Sequence, residues 1–599
     1  MNQSTNGKKR RSPRSKAGKI LLNLVVTLVV GLVYFYVSLP ALNPQSGDFY
    51  SFIGLLCITY VISALITSGF SSGLDQAAMP KEHFKEYFRF IKQQCLPIGV
   101  LFLALIAVAL VGSILSAPIF RAAAYRDLLT VENGKFTEDI SQISFDEIPT
   151  LDESSAEFLG DRQMGTLSDM VSQFEYSNDS TQINYQGRPV RVAPIAYADL
   201  IKWFTNRSQG LPAYVIVDMA SQEAQVVRLS EGMKYSFSEP LNRNIARHLR
   251  FQYPTFMFGT PQFEIDEEGN PWWIAPRVVK TIGLFGGTDI NGAVLCNAIT
   301  GESTYYELSE IPTWVDNVFT PELIMQQYDY HGTYVNGFIN SIFGQRDVTV
   351  TTQGSNYIAL NDDVYMYTGV TSANADQSNL GFLLSNQRTK ETKFYEAPGA
   401  TEYAAQVSAQ GVVQDLGYQA TFPLLLNING EPTYFIPLKG QDNLVKMYAM
   451  VNVAQYQVVA TGGTVSECER EYIRLLGDSG ITTEEELPQT EASGVIAEIR
   501  SAVLDGNTYY FFRLEGEDVF YSVSAAQSPA AVILDAGDSV TIEHDVPDAE
   551  SASDILSGGT ITSYQRAEAS APTEVEPAPP VTGQETEPAD AQTVPEAAA

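Results

Sequence analysis

Three apolar runs open the chain, Ile20 to Val37, Phe49 to Ile66 and Pro97 to Ile119, and none contains a charged residue. Each holds about 18–23 residues, enough for a helix to cross about 30 Å of hydrocarbon at 1.5 Å per residue. The pattern predicts three transmembrane helices within residues 20–120. Between the second and third runs, Phe84, Phe88, Ile91 and Cys95 recur at helical spacing while Lys81, Lys85, Arg89 and Lys92 fall on another face. That predicts an amphipathic helix in the loop 69–96, lying at the headgroups.

Past residue 120 the pattern becomes alternating and punctuated by turns. Residues 121–160 read as a connector. Helix-like stretches then begin near Gly165, Pro240, Thr320 and Gly399, each followed by apolar strands in pairs. The starts predict four units, 161–239, 240–319, 320–398 and 399–476, each a helix with a four-stranded meander and the last carrying a trailing helix. The clearest helix spans 320–343, with Thr320 and Pro321 as N-cap and first helical residue. His331 lies on its apolar stripe and reads as a satisfied core histidine.

The turns echo one another. Gln186-Gly-Arg-Pro-Val190, Glu268-Gly-Asn-Pro-Trp272 and Asn429-Gly-Glu-Pro-Thr433 share Gly-x-Pro, and the third unit has Asn361-Asp-Asp-Val364 instead. The second hairpins also align, as Tyr214 to Glu223, Ala293 to Glu302, Phe382 to Glu391, and Met447 to Tyr456 without the Glu. An acidic linker, 477–493, leads to a compact β module at 494–545. Its five expected strands are Gly494–Ile499, Asn507–Phe512, Val519–Ser522, Ala531–Leu534 and Val540–Ile542. Asp505-Gly506 supplies a hairpin turn there. Five short strands suit a small barrel, and the run to Val540 resembles OB-fold strands. Residues 546–599 form an acidic Pro/Ala-rich tail that cannot bury a core and is expected to be disordered. The fold class is thus α+β, with transmembrane helices, repeated helix-plus-antiparallel-sheet units and an OB-like barrel.

Charge sets the expected topology. The segment 1–19 carries seven basic residues and no acid, so it reads as a cytoplasmic N-terminus, and loop 69–96 adds four more. Loop 40–48 has neither Lys nor Arg. By the positive-inside rule, residues 120–599 lie outside the cytoplasm in a multi-pass cell-membrane protein. The chain's net charge of −33 divides into +7 for the first 120 residues and −40 for the rest. So acidic an exterior excludes nucleic acid as a partner, because phosphate contacts need cations.

A unit of one helix and an antiparallel sheet, with Ala298-Ile-Thr-Gly-Glu302 at a strand turn, resembles PepSY and cystatin-like domains over roughly residues 160–462. The whole chain is similar to uncharacterised bacterial membrane proteins with such domains. The resemblance implies recognition or inhibition of envelope proteins, and carries no catalytic residues.

Candidate chemistry is sparse. Gly69-Phe-Ser-Ser-Gly73 has the Gly-x-Ser-x-Gly spacing but caps a span, where no strand-to-helix elbow forms. Asp266-Glu-Glu-Gly-Asn270 lacks the alternating acids of a calcium loop and reads as a hairpin turn. Gly283-Leu-Phe-Gly-Gly287 lacks nucleotide-loop spacing. The histidines are scattered, and only Cys296 and Cys468 lie beyond the spans, bridged or free. No catalytic, cofactor-binding or metal residue is assigned, and no cofactor is expected. Trp272 and Trp273 point to opposite strand faces, making them an inter-repeat contact or a partner contact, the former favoured. The expected function is a non-enzymatic, membrane-anchored binding, scaffold or regulatory protein with an envelope-protein partner. The alternative is a cell-wall-associated hydrolase or carbohydrate-binding protein.

Overall fold

The computed structural model describes residues 16–68, 81–140, 148–360, 363–373, 378–481, 489–504, 507–526, 528–545 and 555–567. The basic segment 1–15, the Gly69–Gly73 motif, Asn361-Asp362, most of the acidic linker, the Asp505-Gly506 turn and residues 568–599 lie outside them. The chain divides into two units, Met1–Glu485 and Glu486–Ala599.

Three helices are long and apolar enough to cross a membrane: Lys16–Ser38, Gly47–Ser68, and Phe88–Ser116 within a longer helix. Small residues let them approach, with Gly31 against Leu56 and Gly54 against Phe102. Asn23, buried in the first span, accepts hydrogen bonds from Ser63 and Thr67 of the second, both at 2.9 Å. The amphipathic stretch is not a separate interfacial helix as expected. One helix runs from Lys81 to Ser116 straight through Pro97. A proline inside a helix forfeits one backbone bond, a loss a long helix can absorb.

The first strand, β1 (Glu132–Gly134), lies in the expected connector and adds in parallel to the edge of the third sheet. The same connector holds helix Pro118–Arg126 and the first repeat's helix, Glu153–Gly165, which ends where a helix was expected to begin. Asp152 caps it by accepting from Ser155 N. The remaining helices start close to expectation: Ile245–Gln252, Pro321–Thr333 and Glu402–Val412. The third repeat's helix, Pro321–Thr333, stops ten residues short of 343, because Tyr334 leaves helical geometry and Gly337 takes φ +83°.

Four antiparallel sheets share one connectivity. In the first, β2 (Phe174–Tyr176) and β3 (Thr181–Tyr185) pair with opposite ends of β4 (Arg188–Tyr197), and β5 (Leu211–Asp218) and β6 (Ala224–Met233) follow in order. The second repeats this with β7 (Met257–Phe258), β8 (Gln262–Ile265), β9 (Pro271–Ile282), β10 (Gly286–Asn297) and β11 (Ser303–Glu307). The third uses β12 (Thr349–Thr351), β13 (Asn356–Leu360), β14 (Asp363–Ser372), β15 (Ser378–Asn386) and β16 (Thr392–Ala400). The fourth uses β17 (Gln419–Ala420), β18 (Leu424–Ile428), β19 (Glu431–Lys439), β20 (Val445–Asn452) and β21 (Val459–Gly462). Each unit therefore has five strands of its own, not four. The extra strand is the first, only two or three residues long. A trailing helix, Val465–Asp478, opens with a capping box between Thr464 and Glu467.

Side-chain-capped turns repeat with the sheets. Asp218, Asn297 and Asn386 each accept two backbone N–H bonds from the residues that follow, and Asn452 accepts one. Beyond them Gln222, Gly301 and Lys390 take φ between 62° and 78°. The aligned words in the sequence are this one turn, built three times with the same bonds and once with a variant.

The second repeat is fastened to the spans. Arg247 donates to Tyr36 O at 3.1 Å with its guanidinium 4.3 Å over the Tyr36 ring, and Arg250 donates to Leu39 O at 2.9 Å. The β9–β10 tip, Gly283-Leu-Phe-Gly-Gly287, docks on the third span, where Ser116 Oγ accepts from Leu284 N and Phe285 N. Gly283, at φ +62°, faces Ser116 so closely that a side chain there would clash.

In the second unit, β22 (Gln489–Leu504), β23 (Asn507–Leu514), β24 (Phe520–Ser524), β25 (Ser539–Asp545) and β26 (Ile555–Gln565) close a barrel in the order β22-β23-β24-β26-β25. β24 and β26 run parallel. Two expectations fail here. Residues 531–534 fall largely in a 3₁₀ turn opened by Pro529, and the closing strand β26 comes from the stretch assigned to the tail. Phe512, Val523 and Ile542 fill the core.

Candidate functional site

The loop 311–320 binds three repeats together. Asp316 Oδ2 accepts from Asn184 N of the first repeat at 2.6 Å. Asp316 N and Asn317 N donate to the two oxygens of Glu264 in the second, both at 2.9 Å. Asn317 Nδ2 donates to Gln182 O at 2.9 Å, and Gln387 of the third repeat donates to Phe319 O at 3.0 Å while its own carbonyl accepts from Val318 and Phe319. Glu264 is fully buried, which pushes its carboxyl up to about 7 despite the N–H donors that favour the charged form.

Beside this loop lies a polar cavity of about 240 Å³ lined from all three repeats. Arg191, 5% exposed, sits on β4; its Nη2 is 2.5 Å from Glu153 Oε1 and its Nε donates to Ser180 Oγ at 3.0 Å. Glu322, at the start of the third repeat's helix, also lines the cavity, as does Tyr357. Burial pushes the Tyr357 hydroxyl up to about 12, opposed by Arg191 and reinforced by Glu322 and Glu153. Gln387 is buried, and its Oε1 meets no hydrogen-bond partner among the described residues. The cavity thus brings a cation, two carboxylates and a phenol to the walls of a space for a small polar ligand. Ser180 is no free nucleophile, since its hydroxyl donates to Glu157 while accepting from Arg191.

The two tryptophans do not share a site. Trp273 is wholly buried against Phe237 and Phe263, its Nε1 donating to Tyr235 O at 2.9 Å. Trp272 faces the other way, half-buried against Trp314, with Nε1 donating to Asp266 Oδ2 at 2.9 Å. Asp266 also takes the N–H groups of Glu268 and Asn270, so its carboxylate serves the hairpin. His331 is half-buried with Nδ1 3.1 Å from Arg126 O, and His248 lies 2.7 Å from Gly301 O. Among the described residues no three His, Cys, Asp or Glu side chains converge as metal ligands. Cys296 and Cys468 are free thiols.

Glu153, Arg191, Glu322, Tyr357 and Gln387 belong to no catalytic or binding motif in the sequence. One signal was present: Arg191 interrupts the apolar word Val190-Arg-Val-Ala193, and a charge amid strand residues buried on both faces needs a partner. No protein-family model matches the chain, and comparison with curated proteins gives no match. The fold defines a class: a chain with three apolar membrane-length helices, a domain of four like sheets, and a five-stranded barrel.

Proposed function

We propose that this chain is a membrane-anchored binding or scaffold protein that recognises an envelope-protein partner on the extracytoplasmic side and performs no chemistry of its own. One observation carries the reading. Of four copies of a helix-plus-sheet unit, three are tied by the loop 311–320, and the second is bolted through Arg247, Arg250 and Ser116 to the span ends. A rigid, repeated surface held at a fixed height suits display and recognition. The PepSY-like reading draws on the helix-then-sheet unit and on Thr300-Gly301-Glu302 at a repeated turn. The OB-like reading draws on the barrel order, first-second-third-fifth-fourth, with its parallel third and fifth strands. Photo-crosslinkers placed at exposed repeat positions in native membranes test the function. Reproducible adducts to one envelope protein support it, and adducts to none sink it. For topology, Ser46→Cys and Tyr403→Cys should both react with an impermeant maleimide in intact cells; protection of both inverts the orientation.

The carbohydrate-binding alternative has one observation in its favour, the carboxylates of Glu153 and Glu322 on one polar cavity. Calorimetric titration of the solubilised protein with cell-wall fragments discriminates it. Binding lost in Arg191→Met favours the alternative, and no heat in the wild type removes it.

A further inference from the structure

Apolar side chains on soluble surfaces are normally scattered, and contiguous exposed ones mark a contact. Two such groups stand out in the sheet-rich domain. On the short helix Leu200–Asn206, Leu200 is 70% exposed, Ile201 73% and Phe204 60%. On the turns spanning 337–344, Ile339 is 74% exposed, Ile342 53% and Phe343 84%.

Both groups trace back to the ends of the membrane-length helices. From the third span, Tyr125 Oη donates to Ser116 O at 2.8 Å; the Tyr125 ring meets Tyr334 at 6.4 Å, and Tyr334 stacks on Phe338 at 6.3 Å, within the second group. Helix Pro118–Arg126, which follows that span directly and touches this group, exposes Ile119 and Phe120 as well. From the first span, Tyr36 Oη donates to Asn242 at 3.1 Å, the adjacent Leu241 is exposed, and Arg243 donates to Arg207 O at the end of the first group's helix at 2.7 Å.

We propose that the domain rests on the leaflet in which these spans end, with helix Leu200–Asn206 and the turns 337–344 inserted at the headgroup–acyl boundary as two feet, one beside the first span and one beside the third. The occupant is lipid because each group is linked through a few neighbouring residues to one that bonds a span end. Arginines stand where headgroups would lie: the Arg207 guanidinium is 4.5 Å over the Phe204 ring, and Arg346 is exposed just beyond Phe343. Such stems lie on apolar surface while the charge stays in water. The acidity of the domain as a whole does not oppose this, since insertion is driven by apolar area and needs no anionic lipid. Two feet would add to the hold on the domain's tilt that Arg247, Arg250 and Ser116 already give through the second repeat. The inference holds whichever side of the membrane the domain occupies.

The test uses the full-length protein in phosphatidylcholine nanodiscs, with and without mid-chain brominated lipid. Phe343→Trp, Ile201→Trp and, for comparison, Tyr403→Trp at an equally exposed position on the fourth repeat's helix each add fluorescence over the wild type. Bromolipid should quench the fluorescence added at 343 and at 201 by about twofold or more, as shallow insertion requires, and leave that at 403 unchanged. Absence of quenching at either foot overturns the proposal for that foot. Blue-shifted emission at both, insensitive to bromolipid, would assign the faces to a protein contact and overturn it outright, as would equal quenching at all three positions.

Discussion

The backbone N–H of Asp316 donates to Oε2 of Glu264 at 2.9 Å, joining the loop 311–320 to the second sheet through a carboxylate with no exposed surface. Asn317 N completes the clasp on Oε1. Two charge-favouring donors hold the carboxyl, yet desolvation outweighs them.

This clasp predicts a pH dependence. Burial raises the Glu264 carboxyl from 4.5 to about 7, so the folded state holds a proton that the unfolded chain releases. The resulting stability is present below about pH 4.5 and is lost as pH rises to about 7, a change on the order of a few kcal/mol. Glu264→Gln keeps a neutral side chain but turns an amide N–H toward one of the two donors. Melting temperatures in nanodiscs should show the variant less stable than wild type at pH 5, with the gap closing or reversing by pH 8. A constant gap across that range would remove Glu264 as the titrating group.

Two glycines with the same backbone angle should respond differently to substitution. Gly430 and Gly301 both have φ +78°, but Gly430 faces open space, whereas a Cβ on Gly301 would meet the Tyr235 ring. Gly430→Ala should cost only left-handed strain, about 1 kcal/mol, and Gly301→Ala roughly 2–4 kcal/mol. Denaturant midpoints measured on the two variants check this. Equal losses would mean that the Tyr235 ring swings aside freely.

The trailing helix covers the fourth sheet through one buried phenol. Tyr472 Oη accepts from Thr433 Oγ1 at 2.9 Å and Asn452 Nδ2 at 3.2 Å. Tyr472→Phe keeps the volume and strands the Asn452 amide, while Thr433 Oγ1 keeps Glu431 O at 3.0 Å as its acceptor, and the change should cost about 1–3 kcal/mol. Adding Asn452→Leu should recover little, because Asn452 Oδ1 also holds the turn through Gln455 N. Double-mutant melting curves give the comparison.

What the chain disclosed in advance follows signal strength. Thr320-Pro321 fixed one helix start because N-cap and proline act locally. The first repeat's helix was hidden because the residues it buries, Ser155, Ala156, Gly160 and Met164, are mostly small and make a faint stripe. The opening strand of each sheet is too short to alternate. Ser557-Gly-Gly559 in β26 reads as low complexity, although Leu556 and Ile561 pack on the barrel core. The cavity was illegible for a different reason. Glu153 and Arg191 come from the first repeat, Gln262 from the second, and Glu322 and Gln387 from the third, and no local pattern encodes how separate sheets stack.

The last prediction concerns the two cysteines beyond the spans, which the sequence left bridged or free. They sit in different environments, Cys296 in the core strand β10 and Cys468 in the trailing helix, its Sγ donating to Ala460 O at 3.6 Å. Both are wholly buried, and burial pushes the Cys296 thiol up to about 11 and Cys468 higher still. Reaction with a maleimide needs both access and thiolate, and the fold withholds each. In a Cys57→Ala, Cys95→Ala background the folded protein at pH 8 should take up no label over hours, and the denatured protein should take up two per chain without prior reduction. Melting temperature should be the same with and without reductant. Label uptake that appears only after reduction would demonstrate a disulfide, and would contradict the two free thiols of this fold.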